Sequence, residues 1–144
     1  MVIDVAGSVR VAALAVLSSL PAGASAQWSQ VWSDEFSGSS LDLSKWEPMI
    51  GDGTAYGIPG WGNNELQYYT DRSQNISVQN GLLTITARRE NYIGKEYTSA
   101  RLRTLNKADF LYGRIEARIK VPAGAGAWPA FWMLPTNSPY GGWA

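Results

Sequence analysis

The sequence has 144 residues, 45% of them hydrophobic and 17% charged, enough to bury a core as one ordinary domain or as part of a larger one. Its 12 basic and 12 acidic residues cancel, so no basic field exists to hold nucleic acid and no acidic tail is present. With no His and no Cys, the chain cannot run Ser-His or Cys-His catalysis, build a His-ligated zinc site, or form disulfides, so its chemistry falls to carboxylates, Lys, Arg, Tyr and hydroxyls.

In chain order, Arg10 precedes an apolar run over residues 11–20, followed by Pro21 and small residues ending Ala24-Ser25-Ala26. This pattern predicts a secretory signal peptide over residues 1–26, cleaved after Ala26; the competing reading is an ordinary hydrophobic helix. The run is too short to span a bilayer, so no membrane attachment is expected after cleavage and the expected location is extracellular. Removing the leader deletes Asp4 and Arg10 and leaves the charges balanced. A secreted chain without cysteine suits a bacterial exported protein better than a disulfide-stapled extracellular module.

From Gln27 onward, apolar and polar residues alternate while Gly, Asn, Asp and Pro punctuate at short intervals, which is a β pattern. Strands are predicted at residues 31–36, 66–69 and 76–79. Asn80-Gly81 is a turn signal opening a run in which Leu83, Ile85 and Ala87 oppose Leu82, Thr84, Thr86 and Arg88. A strand over residues 97–104 puts Tyr97, Ser99, Arg101 and Arg103 on one face. The clearest covers residues 110–121, with Leu111, Ile115, Ala117, Ile119 and Val121 on one side and Tyr112, Arg114, Glu116, Arg118 and Lys120 on the other, as in an antiparallel strand with one wet face. A last strand is predicted at residues 130–134. Short strands separated by turns indicate a sandwich or jelly roll rather than a βαβ fold.

The segment Trp128-Pro129-Ala130-Phe131-Trp132-Met133-Leu134-Pro135 is apolar on both faces if extended. Two readings stand. It is either a strand covered by core on both sides, or one in which Phe131 and Met133 fill the inter-sheet core while Trp128 and Trp132 floor an open cleft. An indole offers a broad apolar face and one N–H donor, which matches the C–H face and hydroxyl rim of a sugar. Residues 60–70, Gly-Trp-Gly-Asn-Asn-Glu-Leu-Gln-Tyr-Tyr-Thr, are either a decorated surface loop or a set of uncharged donors and acceptors for hydroxyls. Arg101 and Arg103 are either solvated strand-face charges or further donors. Asn75-Ile76-Ser77 matches the acceptor triplet for N-linked glycans and is read as incidental in a bacterial chain.

Taken together, Trp32-Ser33-Asp34-Glu35-Phe36, residues 60–70, Ser99-Ala100-Arg101-Leu102, Tyr112-Gly113-Arg114-Ile115-Glu116-Ala117-Arg118 and residues 128–135 resemble glycoside hydrolase family 16, and within it the laminarinase type that hydrolyses β-1,3-glucans. The likeness runs over residues 28–144 in the family's order and spacing. It implies an all-β fold, a concanavalin-like jelly-roll β-sandwich of two antiparallel sheets, incomplete in this chain, with residues 27–144 its N-terminal part. It also implies that Trp128 and Trp132 line the sugar subsites beside the cleavage point, that Asn64 and Arg101 hydrogen-bond sugar, and that Glu35 and the Gly81 carbonyl contribute to a structural calcium, an ion that favours such hard oxygens. No cofactor for catalysis, a β-1,3-glucan polysaccharide as partner, and a monomer at full length complete what the resemblance implies.

The family's catalytic strand, Glu-x-Asp-x-x-Glu or Glu-x-Asp-x-Glu, follows soon after a Trp like Trp143, and the sequence holds no Asp or Glu after Glu116. A retaining glycosidase needs two carboxyls roughly 5–5.5 Å apart. Asp34 and Glu35 are adjacent and point to opposite faces of a strand. Glu65 lacks an evident partner, and Glu116 sits between Arg114 and Arg118, which hold it ionised. No catalytic residue is therefore assigned within the chain; the pair is expected beyond Ala144, and the 144 residues alone are expected to be inactive. The expected activity is hydrolysis of β-1,3-glucan. The alternatives are a non-catalytic glucan-binding protein on the same fold, and a related hydrolase of mixed-linkage glucan or an algal galactan. Half of a jelly roll leaves strand edges open, so residues 27–144 alone are expected to aggregate or stay partly unfolded.

Overall fold

A computed structural model describes the backbone of residues 2–6 and 9–14 and all of residues 27–138. Among the described residues the structure is all-β, as expected, with two short 3-10 turns at Thr54–Tyr56 and Pro59–Gly62 as its helical content. No helix among them is long and apolar enough to cross a membrane. Among the described residues twelve strands form: β1 Val2–Ala6, β2 Val9–Leu14, β3 Trp28–Asp34, β4 Glu47–Pro48, β5 Gln67–Tyr69, β6 Ile76–Gln79, β7 Leu82–Thr86, β8 Arg88–Tyr92, β9 Lys95–Ser99, β10 Leu102–Arg103, β11 Arg114–Glu116 and β12 Ile119–Lys120. They assemble as β12-β1-β7-β6, β11-β2-β3, β5-β9-β8 and the pair β10-β4. Every pairing is antiparallel except that of β5 with β9, which is parallel. β1 and β2 come from the residues read as a leader, as strands rather than a helix; the expected cleavage point after Ala26 lies outside the described residues.

The β6–β7 hairpin forms where the turn signal places it. Asn80 and Gly81 both take positive φ (55° and 74°), the conformation that matches the twist of flanking strands in a two-residue turn. Alternation then buries Ile76 and Val78 on β6 and Leu83 on β7. With Phe36 and Ala100 they make the core, against which Leu41, Trp46, Ile85 and Leu102 pack. Phe36 enters it by a left-handed bend (φ 50°) just past the end of β3, so this strand stops two residues short of its expected end at 36.

A polar knot lies beside this core. The side chains of Asn75 and Thr98 are fully buried, and Thr70 is nearly so. Thr70 Oγ1 donates to Asn75 Oδ1, while Asn75 Nδ2 donates to the Thr86 carbonyl (2.9 Å) and to Thr98 Oγ1 (2.9 Å). Thr98 Oγ1 in turn donates to Glu90 Oε1, which also receives Arg72 Nη2. The Thr98 bond first, and then Arg72, hold the Glu90 carboxyl below its ordinary range. Arg72 also lies over the Tyr92 ring, 4.1 Å from its centroid. One buried amide thus ties the turn before β6 to β7 and β9. Among the described residues no buried side-chain polar atom lacks a partner.

Three sequence expectations are corrected. The run over residues 97–104 is two strands, because β9 pairs with β5 and β8 whereas β10 pairs with β4. The run over residues 110–121 is also two, since β11 joins β2 and β12 joins β1 in a different sheet. Its in-and-out alternation survives only between Arg114 and Lys120; Leu111 and Val121 at its ends are exposed. Residues 130–134 form no ladder: Pro129 and Pro135 bracket them without N–H donors, and no described strand lies alongside.

Candidate functional site

The site is built on the loop from Gly51 to Gly62. Gly51 exchanges backbone hydrogen bonds with Tyr69 (3.0 and 2.9 Å), which fixes the loop to the end of β5. Gly53, at φ 91°, is the close-approach point: a Cβ there would lie 2.1 Å from the Ile58 carbonyl oxygen and 2.8 Å from the Trp61 nitrogen. Gly60, Trp61 and Gly62 all take left-handed backbone, φ 59°, 53° and 76°. For Trp61 this costs about 1–2 kcal/mol, offset by burial of its indole, which is 1% exposed. The indole N–H donates to the Gly51 carbonyl (3.2 Å), and the ring lies against Tyr56 (centroids 5.0 Å) and Tyr69 (5.3 Å).

Arg101 and Arg103 extend this aromatic cluster, sharing a face as their two-residue spacing predicts. The Arg101 guanidinium carbon is 4.5 Å from the Trp61 ring centroid and 5.1 Å from that of Trp132. That of Arg103 is 5.7 Å from the Tyr56 ring. The result is a ladder, Trp132, Arg101, Trp61, Tyr56, Arg103, in which each cation meets an aromatic ring. Arg103 ends it by forking onto Glu47 (Nε to Oε2 2.7 Å, Nη2 to Oε1 2.9 Å) across the β4–β10 pair. That hydrogen bond holds the Glu47 carboxyl below its ordinary range and raises Arg103.

Beside the ladder runs a polar rim. Glu65 accepts hydrogen bonds from the Tyr69 hydroxyl (2.8 Å), Gln67 Nε2 and Asn63 Nδ2 (3.4 Å). Burial, followed by the Glu65 charge, pushes the Tyr69 phenol up, so it stays a donor throughout the physiological range. Asn63 also donates to the Trp61 carbonyl (3.4 Å), which turns its amide inward onto the loop. Asn64 is exposed, in left-handed backbone (φ 56°), and its side chain makes no hydrogen bond among the described residues. Both asparagines are exposed, and Asn64 is the one whose amide has no hydrogen bond among the described residues.

The other expected residues fall as follows. Trp132 is 45% exposed and Trp128 75%, Trp128 with no ring contact among the described residues. Phe131 (51% exposed) and Met133 (67%) do not fill a core, which corrects that expectation: without a ladder the segment has no inner face to present. Asp34 and Glu35 diverge as adjacent strand residues should. Asp34 is buried, accepting from Trp46 Nε1 (2.8 Å) and the Phe36 N–H (2.9 Å), while Glu35 is exposed. Glu35 and Gly81 are neighbours, since a Cβ on Gly81 would lie 3.7 Å from the Glu35 carbonyl oxygen. The described residues hold no group of three or more acidic side chains able to bind a metal.

Chemistry at the described carboxylates is constrained by their partners. Asp34, Glu47, Asp52, Glu90 and Glu116 each pair with a Lys or Arg. Where a carboxyl shift is resolved, at Asp42, Glu47, Asp52 and Glu90, it is downward, caused first by hydrogen bonds from Ser44, Arg103, Thr54 and Thr98 respectively. A proton donor to a leaving group needs the opposite shift. What the arrangement offers is recognition: an aromatic surface with amide, carboxylate and guanidinium groups at its edge. The sequence reading missed Tyr56 and Glu47 as parts of it; the glycines flanking Trp61 were the available signal of a tight loop.

Comparison with known proteins matches residues 61–141 to the model for glycosyl hydrolases family 16. A Beta-glucanase of Rhodothermus marinus is 53% identical over 116 residues, covering 79% of this chain and 38% of its own. A Beta-1,3-glucan-binding protein of Penaeus monodon is 61% identical over 46 residues, covering 32% of this chain and 13% of its own. The crystal structure of laminarinase from Flavobacterium sp. UMI-01 superposes with a TM-score of 0.69 at 48% identity, over 78% of this chain and 46% of that one. The chain therefore spans less than half the length of these relatives.

Proposed function

The chain belongs to glycosyl hydrolases family 16, and on that premise we propose that it forms the glucan-binding wall of a secreted hydrolase acting on β-1,3-glucan. The observation that carries this reading is the ladder Trp132–Arg101–Trp61, with the exposed Asn64 three residues along the chain from Trp61. Exposed indole surface stacks on the apolar face of a glucose ring, Asn64 donates to its hydroxyls, and Arg101 backs the Trp132 ring. Trp128 supplies a second ring on the same segment. The chemistry is retaining, with a nucleophile and an acid/base roughly 5–5.5 Å apart on a strand beyond Ala144. Glu35, whose backbone carbonyl lies 3.7 Å from where a Cβ on Gly81 would be, and the Gly81 carbonyl would contribute two oxygens to a structural calcium, to which hard carbonyl and carboxylate oxygens are suited.

The test is hydrolysis of laminarin, lichenan and agarose by the full-length protein. Release of β-1,3-linked oligosaccharides from laminarin with retained anomeric configuration is expected; laminarin left intact while lichenan or agarose is cut would overturn the substrate assignment. Calcium is tested by melting: a rise in Tm with added calcium that magnesium does not reproduce is expected, and equal curves remove the ion. The second reading, a glucan-binding protein without hydrolysis, is favoured by the likeness to the Penaeus monodon protein. Laminarin bound but not cleaved would establish it.

A further inference from the structure

Resting on the glucan-binding reading, we propose that Arg101 is a positioning residue for Trp132, fixing the angle of that exposed ring by holding it against the buried Trp61. The two ends of the contact differ sharply in how they are held. Trp61 is buried, its indole N–H is bonded to the Gly51 carbonyl, and its ring is wedged between Tyr56 and Tyr69. Trp132 stands on a segment with no strand ladder, flanked by Phe131 and Met133 that are themselves exposed.

Arg101 spans the gap. Its backbone carbonyl is tied to the Met49 N–H (2.8 Å), in the short break between β9 and β10, so the base of the side chain is fixed. Its guanidinium lies within 4.5 and 5.1 Å of the two ring centroids. A planar, weakly hydrated cation can meet a ring with its face, which the compact ammonium of Lys does less well. A sugar platform gains affinity when its ring is already oriented, because less side-chain freedom is lost on binding. Arg101 therefore acts on the sugar chiefly through the Trp132 indole.

The experiment is a double-mutant cycle on the full-length protein, titrated calorimetrically with a β-1,3-linked glucohexaose: wild type, Arg101→Lys, Arg101→Gln, Trp132→Ala, and each Arg101 variant combined with Trp132→Ala. Arg101→Lys is expected to weaken binding roughly three- to tenfold, the size of one partly exposed cation–π contact. In the Trp132→Ala background the same change is expected to alter binding less than twofold. Equal losses in both backgrounds overturn the proposal, because Arg101 would then be contacting sugar independently of the ring. Arg101→Gln keeps amide donors without the cation, so wild-type affinity in that variant also overturns it. Melting curves on every variant identify any loss that is mere unfolding, and the Gln variant then carries the test. A wild-type protein that binds no glucohexaose sinks the glucan reading itself, a result distinct from any outcome of the cycle.

Discussion

Residues 60–104 and residues 110–138 both carry aromatic and apolar side chains, yet the structure uses them in opposite ways. In the first region strands pair on both sides, a buried amide satisfies two strands and a turn, and Trp61 is almost sealed from water. In the second, beyond the short β11 and β12, Trp128, Phe131, Trp132 and Met133 are all exposed. Apolar content therefore does not distinguish a residue that holds the fold from one that meets a ligand. Hydrogen-bond satisfaction of the surrounding backbone and side chains does.

The largest expected break in that contrast is Asn75→Ala. It strands the Thr86 carbonyl and leaves the Thr70 and Thr98 hydroxyls short of a partner in a site with no water access, at about 3 kcal/mol. Urea denaturation should show the lowered midpoint with glucan contacts untouched. Trp132→Ala is expected to do the reverse on the glucan-binding proposal: at least tenfold weaker binding, equivalent to about 1.4 kcal/mol, with a stability change within about 0.5 kcal/mol because its ring is half exposed. Trp128→Ala, lacking a cationic clamp, should fall between Trp132→Ala and wild type in the same titration. If Trp128→Ala proves the more damaging, the division between a clamped and an unclamped ring is wrong.

The smallest effect concerns Glu47 and Arg103, an exposed-edge pair that joins the ladder to β4. Glu47→Gln should cost about 0.5 kcal/mol at neutral pH. The Glu47 carboxyl is depressed in the folded protein, so its contribution is complete above its unfolded pKa and is lost as pH falls through the folded value. Wild type and variant should accordingly converge in acid. A difference that persists at pH 2 would mean the two residues contribute packing rather than charge.

Much of the fold was legible. Ile76–Gln79 and the Asn80-Gly81 hairpin follow from alternation plus a turn dipeptide, both local signals. β8 was not, because Arg88-Arg89-Glu90-Asn91-Tyr92 is polar throughout; it pairs with β9 through a second left-handed turn at Ile93-Gly94, where Ile93 gives no turn signal. Alternation over residues 110–121 shows faces but not partners, so the change of sheet between β11 and β12 leaves no mark in the sequence. Of the site, the structure brings Arg101 against the Trp132 ring and leaves Asn64 exposed, a contact that residue spacing does not report. The inward role of Asn63 and the sealed position of Trp61 depend on backbone conformations at Gly53 and Gly60 that spacing alone does not report.

The burial of Asn75 has one more consequence, for anyone producing this protein in a eukaryotic secretory host. There the Asn75-Ile76-Ser77 triplet is offered to the glycosylation machinery while the chain is still extended, and an amide carrying a glycan cannot donate both its protons to Thr86 and Thr98 or fit a site with no solvent exposure. Modification and folding become rival fates of one nitrogen, decided by which is faster. Yield from such a host should rise when Ser77, an exposed position on β6, is changed to Ala, which abolishes the acceptor and leaves Asn75 in place.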